Sequence, residues 1–290
     1  MAKKIVDIKR LEFQYKKQVK LLTNFNLELN LGSINGLLGK NGEGKTTLLK
    51  LISGLLFPIR GQITVNGIEP KKRNPKTLSD IFLLPEEIPE TLLSIKSYEK
   101  VYAPFYPAYS SSKFHKYLNE FTLDTGISSI SDLSYGQRKK LFIAFGLATN
   151  AKLILLDEPT NGLDIPSKRQ FRRMISSAID SKSCIVISTH QVLDLEDMVD
   201  NVIILDGHDI IFNEKTESIA NKLLFKTVEN HEHGKEIIYS EETSNGYHQI
   251  TENKLGEKSK IDLELLFNAV VSGQLSIKNL DETTKQQQFL

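Results

Sequence analysis

The sequence predicts an α/β fold: a largely parallel sheet covered by helices on both faces, preceded by an antiparallel β layer and interrupted by a helical insert. Three observations carry this. Short, nearly continuous apolar runs at residues 34–38, 153–156, 185–188 and 202–205 are separated by segments of helical periodicity, the pattern of strands buried on both faces. A glycine-rich loop at 39–46 joins the first of these strands to a helix marked by Leu48, Leu51, Ile52 and Leu55. Over 5–15 and 25–31, apolar residues instead alternate with polar ones, as in half-buried antiparallel strands.

In chain order, the alternating segments open the β layer, the strand and glycine loop follow, and further short strands are expected at 63–65 and 81–84. Residues 94–121 read as mainly helical, broken at Pro104 and Pro107, because a proline ring removes a donor and clashes with the preceding turn. A helical insert is therefore expected between 87 and 149. Leu141, Ala144, Phe145 and Ala148 mark an amphipathic helix, and the strands from 153, 185 and 202 then alternate with a helix near 167–179 and a shorter one. Beyond 225 the composition turns polar. Ile237-Ile238-Tyr239 is strand-like, and Leu263, Leu266, Phe267 and Val270 share one helical face. The division expected is a main domain at 1–225 and a small extension at 226–290, with a frayed Gln-rich end at 281–290.

A chain of 290 residues with 40% hydrophobic content can bury one sizeable core. Its net charge of +1, without a long Lys/Arg block, argues against nucleic acid as a partner. The single cysteine, Cys184, lies in an apolar run and reads as a small buried hydrophobe of a reducing compartment. The N-terminus lacks the apolar stretch of a signal peptide, and no apolar run approaches the roughly 20 residues that span a bilayer.

Gly39-Lys40-Asn41-Gly42-Glu43-Gly44-Lys45-Thr46 matches G-x-x-x-x-G-K-[ST] between a strand and a helix, the context that defines a P-loop. Its glycines let successive N–H groups converge on phosphate oxygens at the positive end of a helix. Lys45 is expected to reach the β and γ phosphates and Thr46 to ligate Mg²⁺, with Thr47 beside it. The strand at 153–156 ends in Asp157 and Glu158 at the carboxyl edge of the sheet, where ligands bind. Neighbouring strand residues point opposite ways, so the two acids can divide their tasks: Asp157 for the magnesium shell, Glu158 as base for the attacking water. Leu133-Ser134-Tyr135-Gly136-Gln137 opens the amphipathic helix, and by itself Ser134 with Gln137 three residues on reads as a capping box. His231-Glu232-His233 has no third ligand nearby and reads as a solvated loop.

Together these motifs resemble the ATP-binding cassette (ABC) ATPase family over roughly residues 5–225, with a layout most similar to bacterial ABC-2 exporter subunits. The resemblance implies ATP and Mg²⁺ as ligands, and a signature in which Ser134, Gly136 and Gln137 face a γ-phosphate held by the opposite subunit. It places Tyr15 where an aromatic stacks on adenine, although a strand-packing tyrosine would look the same. It makes Asn161-Gly162-Leu163-Asp164 a loop touching the partner near its P-loop, and His190 the switch histidine at the γ-phosphate. Two positions depart from the family pattern: Tyr135 replaces the usual glycine of the signature, and Glu86 stands where a glutamine contacts Mg²⁺ and reports nucleotide state.

The implied protein is an ATPase subunit, cytoplasmic and peripheral on the inner face of the cell membrane. It would pair with a second copy or a homologous cassette and drive an integral-membrane permease on a separate chain, in the export direction. Tyr98, Tyr102, Phe105, Tyr106, Tyr109, Phe114 and Tyr117 crowd the insert and are expected to be too many for its core, leaving some for that permease. The alternative is a soluble ABC ATPase of iron-sulfur assembly or a regulatory role. A P-loop kinase or GTPase predicts neither Ser134 nor His190.

Overall fold

In the computed structural model, which describes residues 3–16, 21–229, 237–244 and 246–276, the alternating N-terminal segment forms β1 (Lys4–Phe13) and β2 (Leu22–Asn30). The apolar run that follows is β3 (Ser33–Gly39), and beyond the glycine loop comes α1 (Lys45–Ile52). β4 (Arg60–Val65) returns to pair with β1, so the β layer is a three-stranded antiparallel sheet ordered β2-β1-β4. The short α2 (Pro75–Leu78) leads into β5 (Ile81–Leu84).

The insert contains α3 (Ile95–Tyr102), a 3-10 turn at Ala103–Phe105, α4 (Ser111–Glu120) and α5 (Tyr135–Ala148), with the interruption at Pro104 and Pro107 as expected. β6 (Leu153–Asp157), α6 (Ile165–Ala178), β7 (Cys184–Thr189) and β8 (Asn201–Asp206) complete the alternation. The second sheet runs β5-β6-β7-β3-β8 in parallel, closed by an antiparallel edge strand, β9 (Asp209–Lys215), that sequence patterning did not separate from β8.

Alternation along the buried strands sorts their side chains into two cores. Leu37, Leu153, Leu155, Val186 and Ile203 pack with α1 and the β layer. Leu38, Ile154, Leu156, Ile187 and Ile204 pack with α5, α6 and the insert. Cys184 is fully buried, and burial pushes its thiol up to about 12, so it behaves as the inert hydrophobe expected. The strand order sets β7 between β6 and β3, which brings the ends of all three strands, at Asp157, Thr189 and Gly39, to one edge of the sheet.

After β9 come α7 (Thr216–Lys222), β10 (Leu223–Val228), β11 (Ile237–Thr243), β12 (Gly246–Glu252) and α8 (Leu263–Val271). β10, β12 and β11 form a third, antiparallel sheet. Its first strand starts a few residues before the compositional change at 226, because Leu223 is buried in the main core. Of the shared face, Leu263, Leu266 and Val270 are buried and join that same core, whereas Phe267 is half-buried against it and Leu265 is buried as well. His231, Glu232 and His233, and the stretch 281–290, lie outside the described residues. Among the described residues no helix is long and apolar enough to cross a membrane.

Candidate active site

From Gly39 the chain turns through Gly42 (φ 92°) and Gly44 (φ 99°) into α1. A Cβ at Gly42 would meet nothing within 4 Å, so the left-handed backbone, not lack of room, requires glycine there. Gly44 is the N-cap of α1 and offers no side chain, so the N–H groups that open the helix have no side-chain cap. An uncapped helix start behind a glycine loop is an anion site. Lys45, 6% exposed, donates to the carbonyls of Gly39 (2.6 Å) and Lys40 (3.1 Å). Burial lowers its pKa, and the carboxylates of Glu158, Asp157, Glu86 and Glu43 partly offset this.

The two acids that end β6 are both buried, and they meet different partners. Asp157 is the last strand residue, and its Oδ1 accepts from Ser188 Oγ at 2.5 Å. Glu158 leaves the strand in the left-handed conformation (φ 44°), which swings its carboxylate back across the edge of the sheet. Its Oε1 lies 3.8 Å from Lys45 Nζ and 2.9 Å from His190 Nδ1, and accepts from the His190 backbone N–H at 3.1 Å. Its Oε2 is buried without a partner. P-loop, carboxylate and histidine, 145 positions apart from Lys45 to His190, thus meet in one place.

The residues suit a magnesium-bound phosphate chain: an open helix start, a buried lysine, and a buried carboxylate oxygen whose hydrogen-bonding capacity is unused. Thr46 is half-buried at the first turn of α1, and Asn41 is exposed in the loop. Thr47 Oγ1 lies 3.0 Å from Tyr15 Oη, and Tyr15 packs edge-on against Phe13 at 5.0 Å while staying 40% exposed. Tyr15 therefore combines strand packing with a position over the P-loop helix.

The signature helix begins as the capping box predicts: Gln137 N–H donates to Ser134 Oγ (3.3 Å), and the Ser134 N–H to Gln137 Oε1 (2.9 Å). Gly136 packs on the loop at 161–164, where a Cβ would stand 2.7 Å from the Gly162 carbonyl oxygen. Asp164 caps α6 by accepting from the Ser167 N–H (2.8 Å), and hydrogen bonding to Ser167 holds its carboxyl below the usual carboxylate range. Asn161 Oδ1 accepts from Gln191 Nε2 (3.0 Å), tying this loop to the residue after His190. Glu86 is exposed just past β5, and the hydroxyl of Tyr135 donates to its backbone carbonyl at 2.9 Å.

Three contributors had no sequence signal. Ser188 lies in an apolar strand, Gln191 follows a histidine that drew attention alone, and Lys139 sits in an Arg-Lys-Lys run in which nothing marks one basic residue from the next. Lys139 is in fact fully buried.

A P-loop with two carboxylates at the end of the strand next but one in the sheet, beside a histidine and a serine-capped helix, defines a P-loop ATPase of the cassette class. The ABC transporter family model matches residues 22–161. The chain is 30% identical over 223 residues to the ABC transporter ATP-binding protein NatA of Bacillus subtilis, covering 74% of this chain and 90% of NatA. It is 30% identical over 192 residues to YtrB of the same organism, covering 66% of this chain and 65% of YtrB. A solved ATP-binding subunit of an ABC transporter superposes with a TM-score of 0.66 at 25% identity, over 74% of this chain and 91% of that one. The chain belongs to the ABC transporter ATP-binding proteins: it is an ATP-binding, ATP-hydrolysing subunit of that family.

Proposed function

We propose that the chain powers a membrane exporter by closing, with a second copy or a homologous cassette, around two MgATP molecules. The observation that carries this is the position of the Glu158 carboxylate, 3.8 Å from Lys45 and 2.9 Å from His190, with Oε2 unpartnered. In this reading the loop N–H groups of Gly39, Asn41, Gly42 and Gly44, with Lys45, Thr46 and Thr47, bind the phosphates, and Tyr15 stacks on adenine. Thr46, Asp157 and Glu86 would hold Mg²⁺, which supplies charge neutralisation on the phosphate oxygens. Ser134, Gly136, Gln137 and Asp164 face the nucleotide of the opposite subunit.

Glu158 accepts a proton from a water aligned with the γ-phosphorus, the water oxygen forms the new P–O bond, and the bond to the ADP oxygen breaks. His190 orients Glu158 and the water, and Lys45 stabilises charge on the departing phosphates. ADP and phosphate no longer bridge two subunits, so the pair reopens and moves the permease. Residues 1–225 form the cassette and 226–290 an extension, and the chain works in the cytoplasm against the inner face of the membrane through a permease on a separate chain.

Light scattering on Glu158→Gln tests the closure. MgATP is expected to double the mass of this variant, and an added Ser134→Arg to prevent it by placing a bulky cation against the capping box. An unchanged mass with MgATP in Glu158→Gln, at protein concentrations where the free chain is monomeric, contradicts the reading.

A further inference from the structure

We propose that Lys139 is a positioning residue for hydrolysis: it fixes the backbone of Glu158 and links that residue to the start of the signature helix. The proposal rests on the assignment of Glu158 as base. Lys139 is fully buried on α5, yet its ammonium forms no ion pair within 4 Å among the described residues. Its contacts instead run to the Glu158 carbonyl (2.6 Å), the Tyr135 hydroxyl (3.3 Å) and the Glu86 carbonyl (3.4 Å). An ammonium has three donors, and these three acceptors use them. The ammonium also lies 5.4 Å from the centre of the Tyr135 ring.

Anchoring α5 does not require this arrangement. Leu141, Ile143, Ala144 and Phe145 already bury the helix, and an apolar residue at 139 would avoid desolvating a charge. What Lys139 holds is a strained unit. The left-handed Glu158 has its own N–H donated to the Ser188 carbonyl (3.0 Å) and within reach of Ser188 Oγ (3.3 Å). β7 therefore pins the peptide before Glu158 and α5 the one after it, so the carboxylate departs from a fixed backbone. Strain of this kind persists only where neighbours over-determine it.

The same ammonium reaches the two positions that depart from the family pattern, Tyr135 and Glu86, which are already hydrogen-bonded to each other. Lys139 lies about one and a half turns from Ser134 on the same helix. A shift of α5 when Ser134 engages the opposite nucleotide is thus carried to the base of this subunit's own site.

Steady-state hydrolysis, MgATP affinity and MgATP-driven mass are to be compared for wild type, Lys139→Met, Tyr135→Phe and Glu158→Gln. Lys139→Met is expected to lower kcat by about tenfold or more with KM and nucleotide affinity within about threefold. It is expected still to form the MgATP dimer, because its phosphate and signature groups are intact; a merely damaged fold would lose affinity and dimer together. Tyr135→Phe, which removes one of the three acceptors, is expected to fall between Lys139→Met and wild type. A kcat for Lys139→Met within about threefold of wild type overturns the proposal, as does a loss carried by KM. If Lys139→Met does not fold, Lys139→Leu, which removes all three donors in the same way, is judged by the same kcat criterion, and a wild-type kcat in Tyr135→Phe together with it overturns the proposal. Normal turnover in Glu158→Gln would remove the base assignment itself, a separate failure from normal turnover in Lys139→Met alone.

Discussion

A side chain as small as a methyl on Gly136 would come within 2.7 Å of the carbonyl oxygen of Gly162, so the signature helix starts in direct contact with the loop that precedes Asp164. Gly146, ten residues on in the same helix, is close-packed differently: its Cβ would stand 2.2 Å from the Phe82 ring. The two glycines separate function from stability. Gly146→Ala is expected to destabilise by about 1–3 kcal/mol through overpacking, with nucleotide affinity retained. Gly136→Ala is expected to displace the loop at 161–164 and abolish the MgATP dimer of Glu158→Gln. Thermal melts and light scattering on both variants check this, and a dimer that survives in Gly136→Ala contradicts it.

Lys45 gives a pH dependence with a definite sign. Burial lowers its pKa in the free protein, whereas phosphate oxygens favour the ammonium, so nucleotide binding takes up protons in the window between the lowered and restored values. MgATP affinity is expected to fall as pH rises through that window. Calorimetry across a pH series on the alkaline side of neutrality, up to the ordinary lysine range, in buffers of different ionisation enthalpy reads the uptake directly. Binding enthalpies independent of buffer there would contradict it.

The aromatic crowd of the insert divides in a way that selects a docking test. Phe114 and Tyr117 are core residues, and Tyr106 packs near Phe82 and Phe145 at ring separations of 6.1 and 6.2 Å. Phe105 is 66% exposed. Phe105→Ala is expected to reduce permease-stimulated hydrolysis while leaving basal hydrolysis and Tm unchanged. Tyr106→Ala is expected to cost about 1–3 kcal/mol of stability instead, less than a fully buried aromatic. Equal stimulation of Phe105→Ala and wild type by the reconstituted permease would place the contact elsewhere.

What was legible in the sequence follows from how local each feature is. The P-loop, the strand ending at Asp157 and the capping box at Ser134 are set by neighbours a few residues apart, and each stands where its pattern puts it. Strand alternation separates Asp157 from Glu158, but it says nothing of the left-handed turn that the chain takes at Glu158. That turn is held by Ser188 and Lys139, residues 30 and 19 positions away, so no local pattern announces it. β9 was missed because an edge strand on a sheet, half-exposed, lacks the continuous apolar run of the strands it joins.

The most direct test of the account is the turnover of Glu158→Gln measured beside its MgATP affinity. The substitution keeps the size of the side chain next to Lys45 and His190 but removes the proton acceptor. The account predicts a loss of kcat of about 10²-fold or more, with affinity within about threefold of wild type. Hydrolysis within about threefold of wild type would show that the base lies elsewhere.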